Sequence, residues 1–247
     1  MRFIRSLVGM VVLAVAFSAC FKAAEFPIVP EIEYNNVIFR KGPAPTKDVP
    51  SPADTLILTI NFKDGDGDLG LDASETGIPY NDKYYYLFKD GSFLNYKAKR
   101  TIAGFDTLPD FVTPYNCTNW EQIRDQSPQP KVIDTLYFTL NPDHFNFVAD
   151  IYVQQADQSF ALYDWKTEFI FPNCNVSGFN GRFPILSKDL TQKTAQEGTI
   201  RYAIPSPAWT IFFSIKLLKL KVSIRDRALH QSNVVETPPF TLQSIRK

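Results

Sequence analysis

Two segments far apart in the chain, TLILTINF (Thr55 to Phe62) and LLKLKVSI (Leu217 to Ile224), alternate apolar and polar residues. A two-residue period puts one face of an extended chain in a core and the other in water, and a helix with its 3.6-residue period cannot use it. Shorter runs of the same character lie around them: EIEYNNVIF (Glu31 to Phe39), DTLYFTL (Asp134 to Leu140), FNFVADIYV and GTIRYAI. Turn residues separate these runs, and Asp90-Gly91 between two aromatic stretches marks a hairpin. KGPAPTKDVPSPAD is too rich in proline to join a ladder. SPAWTIFF reads as one short helical turn, with Ser206 able to cap and Pro207 suited to the first helical position. About nine or ten short strands with little helical periodicity predict an all-β fold, an antiparallel immunoglobulin-like sandwich over residues 31–247 with long loops. The expected loops are 40–54 and 95–131, and a large central insertion is expected over about 95–196.

The N-terminus has a different grammar. Arg2 and Arg5 precede an unbroken apolar run from Leu7 to Phe17, and Ser18 and Ala19 then lead to Cys20. Such a run is too short to span a bilayer stably and has the layout of a secretory signal, residues 1–19. A cysteine behind two small residues resembles the lipobox of bacterial lipoproteins, although Phe17 stands where an aliphatic residue is usual. That resemblance implies that Cys20 becomes the first mature residue and carries covalent lipid, diacylglycerol and a further acyl chain such as palmitate. Residues 20–30 are then a lipidated tether, and several acyl chains hold a protein at a membrane far more firmly than one. Charge is balanced at 26 basic and 26 acidic residues, so no global field favours nucleic acid. Cys117 and Cys174 most simply pair in an oxidising compartment. A bridge closing a loop of roughly 60 residues stabilises by roughly 4 kcal/mol in the chain-entropy description.

DGDGDLG, Asp64 to Gly70, follows directly on the alternating TLILTINFK segment. Calcium takes six to eight oxygen ligands, and alternate aspartates in a turning loop can aim several carboxylates at one point. Counted from Asp64, the residues Asp64, Asp66, Asp68, Asp72 and Glu75 fall on positions 1, 3, 5, 9 and 12 of an EF-hand-type loop. Leu69 stands where the sharp turn of that loop needs glycine, so the pattern is a calcium-type loop on a β scaffold, with a metal-free, self-bonded turn as its alternative. In a sandwich, the loops after TLILTINF and LLKLKVSI emerge at the same end. That places Asp226 within reach of the acidic run, as a further ligand or as the partner of Arg225 or Arg227.

These features together, the lipobox, the lead-in FPIVPEIEY, FKDGDGDLGLD, FNGRFP (Phe179 to Pro184) and the terminal DRAL and SNVVETPPFTL, resemble an uncharacterised group of outer-membrane lipoproteins from Bacteroidota. The resemblance implies an outer-membrane location and no known activity. Catalytic motifs are thin. His144 and His230 have no motif around them, and no GxSxG, HExxH or phosphate loop occurs. The expectation is a non-catalytic, lipid-anchored envelope protein that binds other envelope proteins, as an accessory of a transport or secretion assembly. Glycan binding is the alternative, with Tyr84, Tyr86 and Trp120 as stacking faces. Thr55, Thr107 and Thr135, each in a DTL triplet, match an O-glycosylation acceptor pattern of that phylum, against a plain turn role for the aspartates.

Overall fold

The computed structural model describes residues 25–50, 52–111, 119–164 and 178–247. Cys20, Cys117 and Cys174, with the expected lipidation and disulfide, lie outside the described residues. Among the described residues the fold is all-β, antiparallel, with two short α-helices and one 3-10 turn. Its first sheet has the order β1-β2-β8, built from β1 (Glu31–Arg40), β2 (Asp54–Asp64) and β8 (Gln196–Ser206). The second has the order β10-β9-β6-β7, from β10 (Val235–Glu236), β9 (Leu218–Ile224), β6 (Phe147–Gln154) and β7 (Phe160–Leu162).

Both alternating segments are central strands. Leu56, Leu58, Ile60 and Phe62 of β2 and Leu218, Leu220, Val222 and Ile224 of β9 are buried in one cluster with Phe147, Ala149, Ile151 and Val153 of β6. The two sheets therefore share a single core, and alternation fixes which face of each strand enters it. Helix α2 (Ala208–Phe213) closes one end, with Trp209 and Phe213 fully buried against Phe179.

A third sheet, order β3-β5-β4, stands outside that core; it consists of β3 (Lys83–Tyr85), β4 (Trp120–Arg124) and β5 (Val132–Leu140). With helix α1 (Tyr96–Thr101), capped by Asn95, it buries Leu94, Trp120 and Phe138. The region expected as one insertion therefore divides. Its first part supplies β4 and β5 to the third sheet, whose β3 precedes it, whereas residues 147–162 supply β6 and β7 to the sandwich. The stretch 95–131, expected as a loop, contains α1 and β4.

The FNGRFP segment joins these parts. Asn180 Oδ1 accepts the Ala149 amide at 2.9 Å, Gly181 bridges to Phe147, and Phe183 exchanges hydrogen bonds with the buried side chain of Asn146. Arg182 then donates to the carbonyls of His144 (2.7 Å), Glu75 (2.8 Å) and Tyr80 (2.7 Å). One guanidinium thus satisfies carbonyls from loops on either side of the third sheet.

Candidate cation site

β2 and β9 end at the same edge of the molecule, as sandwich topology predicts, and the loops that follow them touch. Leu69 pairs with Asp226 in an isolated antiparallel bridge. Leu69 is fully buried, which explains why an apolar residue occupies the place where an EF-hand needs glycine. The reversal is made earlier, at Gly67, whose φ of +69° is a conformation that L-residues rarely adopt.

This geometry gathers the carboxylates of Asp64, Asp68 and Asp226, one oxygen from each lying within 4.8 Å of the others. Asp64 and Asp226 are 0% and 1% exposed, and Asp66, next to them in the loop, is 8% exposed. Buried carboxylates normally accept hydrogen bonds through both oxygens. Here some do. Asp64 Oδ2 accepts the Asp68 amide at 3.1 Å, Asp68 accepts the amides of Arg227 and Ala228, and Asp66 Oδ2 meets Lys193 at 3.3 Å. The Oδ1 atoms of Asp64, Asp66 and Asp68 are buried without a hydrogen-bond partner.

The electrostatic consequence is clear in direction. Burial, then the charges of Asp68, Asp66 and Asp226, push the Asp64 carboxyl up from 3.8 to about 7. Asp68 is raised by burial and then by Asp226 and Asp66. Asp226 is held by His230, whose amide donates to Oδ1 at 2.7 Å and whose Nδ1 lies 2.8 Å from Oδ2. That hydrogen bond, with the Asp226 charge, raises the His230 pKa.

Asp72 and Glu75, expected as ligands at the ninth and twelfth loop positions, do not join the pocket. Asp72 is exposed and accepts the amide and hydroxyl of Ser74, which hold its pKa low. Glu75 takes both terminal nitrogens of Arg227, at 2.8 and 2.5 Å, and that guanidinium keeps it ionised. The physical reason is the missing helix: without one after the loop, the chain leaves the pocket at Leu71, and both residues turn to local partners. Arg225 pairs with Asp143 at 2.5 Å, so neither arginine flanking Asp226 is its ion-pair partner. His230 fills that role, four residues beyond Asp226, a spacing visible in the sequence once the turn is placed there.

The other expected residues separate by burial. Trp120 is fully buried, its indole N–H donating to the Pro109 carbonyl, and so offers no stacking face. Tyr84 and Tyr86 are exposed, but Tyr86 packs edge-to-face with Phe88 and Phe105 at interplanar angles of 74° and 75°, which is not a coplanar platform. Among the DTL threonines, Thr135 is buried in β5 and Thr55 is half-buried in β2, whereas Thr107 lies exposed in a turn. His144 is half-buried and held by Tyr80 and Arg182.

Three converging carboxylates, Asp64, Asp68 and Asp226, with unpaired oxygens on Asp64 and Asp68, suit a hard divalent cation, which prefers oxygen donors, whereas Asp66, expected as a ligand, is not one of the converging group. No protein-family model matches the chain, and neither a curated protein nor a solved structure shows significant similarity to it.

Proposed function

We propose that this chain is a non-catalytic envelope protein, anchored by lipid on Cys20 at the outer membrane, whose sandwich is rigidified by calcium. The observation that carries the calcium part is the set of buried, unpaired oxygens on Asp64, Asp66 and Asp68. Leaving such groups unmatched is costly, and a cation held among Asp64, Asp68 and Asp226 offsets that cost. Calcium suits a pocket of several carboxylates at the foot of a β-strand better than magnesium, which keeps most of its waters and uses one or two carboxylates. Asp226 completes the ligand set while His230 orients it, as an outer partner commonly does for a metal-bound group.

The apolar run before Cys20 supports the anchor, and the resemblance to Bacteroidota lipoproteins supports the location. Neither His144 nor His230 stands in a catalytic motif, which supports a binding or structural role. Other envelope proteins are the proposed partners. The test is direct: metal analysis of protein purified without chelator, and calorimetric titration of the chelated protein with calcium. One equivalent of calcium bound, lost in Asp64→Asn, is the expected result; no binding at millimolar calcium rejects the site. A mild-detergent pull-down identified by mass spectrometry tests the partner class.

A further inference from the structure

The N-terminal segment, residues 25–30, runs across the outside of the acidic loop. The Gly65 amide donates to the Pro27 carbonyl at 2.8 Å. Among the described residues, this is the one hydrogen bond between 25–30 and the body. A Cβ on residue 65 would collide with the Phe26 carbonyl oxygen, so only glycine lets the two backbones approach. The Lys63 ammonium lies 5.8 Å from the centre of the Phe26 ring. Gly65 directly follows Asp64, so the backbone that holds the N-terminal segment is the backbone that aims one of the pocket's carboxylates.

We infer that filling the Asp64–Asp68–Asp226 pocket with a divalent cation and docking Phe26–Pro27 onto Gly65 are coupled events, so that the cation fixes the end of the sandwich from which the N-terminus departs. The inference rests on the cation reading above. Without a cation, mutually repelling carboxylates push the Asp64–Asp68 backbone apart, and the Gly65 amide loses its aim at Pro27. With one, the loop closes and the amide is presented. Coupling of this kind is reciprocal: the docked segment must favour the cation by the same factor that the cation favours docking. The consequence concerns orientation. Cys20 precedes Glu25 by a stretch that reaches at most about 20 Å when extended. A lipid surface holding Cys20 therefore meets the cation-binding end of the sandwich, and the α2 end, at the opposite edge of the first sheet, points away from it.

The experiment uses the full lipidated chain in detergent, with calcium as the probe. Cleavage after Glu25 by a glutamyl endopeptidase reports release of the segment, and isothermal titration reports affinity. Calcium is expected to slow that cleavage at least about fivefold, and the double change Phe26→Gly, Pro27→Gly, which leaves the loop and its carboxylates intact, is expected to weaken calcium binding by a similar factor. Equal affinity in wild type and double variant, or calcium binding with no change in cleavage, overturns the coupling and leaves the cation site standing. Absence of calcium binding overturns both. The melting temperature of the double variant in EDTA, expected to match wild type, verifies that the body is folded.

Discussion

β2 begins and ends on a buried aspartate, and the two ends behave differently. At its start, Asp54 is 4% exposed and both carboxylate oxygens are matched: Oδ1 accepts the Gly42 amide at 2.8 Å, and Oδ2 accepts the Thr210 hydroxyl from helix α2. At its finish, Asp64 is more deeply buried, accepts one amide, and faces three other acids. The same residue type on the same strand is thus a finished structural joint at one end and an incomplete coordination shell at the other. What separates them is the supply of donors. A donor-rich neighbourhood makes a buried carboxylate structural, and an acceptor-rich one makes it a site for something positive.

The largest expected effect is on pH dependence in the absence of metal. Because the folded Asp64 carboxyl is raised from 3.8 to about 7, the folded chain holds a proton between those values that the unfolded chain has released. Its contribution to stability is present below about pH 4 and lost as pH rises through 7, by at most about 4 kcal/mol at about 1.4 kcal/mol per unit. Thermal melts in EDTA should therefore show wild type falling relative to Asp64→Asn between pH 5 and pH 8. A constant difference would mean that Asp64 is as well matched as Asp54.

Calcium should come next. At a hundredfold excess over its dissociation constant it stabilises the folded state by about 2.7 kcal/mol, or roughly 5–10 °C in Tm for a chain of this size. Calorimetry should find this increment in wild type and in Asp54→Ala but not in Asp64→Asn. Asp54→Ala itself should cost about 1–3 kcal/mol, equally with and without calcium, because it strands the Gly42 amide and the Thr210 hydroxyl. A calcium-dependent cost at Asp54 would break the contrast between the two ends. The smallest effect belongs to Glu75→Gln. Since Glu75 is committed to Arg227, calcium affinity should change less than about twofold and stability by at most about 1 kcal/mol. A tenfold loss of affinity in titration would return Glu75 to the ligand set.

Much of this was readable from residue order, for identifiable reasons. The strands β2 and β9 announced themselves because each buries one face, and the period of burial is written directly into the chain. The meeting of the acidic loop with Asp226 followed from topology alone. The third sheet was harder to see: β3 has three residues and β4 has five, too few for a period to emerge, and Trp120 packs on Tyr96 and Tyr137 rather than facing solvent. The roles of Asp72 and Glu75 depended on where the chain turns after Leu71, which no spacing rule encodes.

By itself the sequence determined the all-β class, the faces of the central strands, and the concentration of carboxylates after β2, since periodicity and composition are local properties. Tertiary structure alone decided which carboxylates converge, which oxygens go unmatched, and that the N-terminal segment lies on Gly65. The physical reason is that desolvation and hydrogen-bond satisfaction depend on groups brought from distant parts of the chain: Asp226, Lys193 and Pro27 all meet one seven-residue loop only after the two sheets have closed over their core.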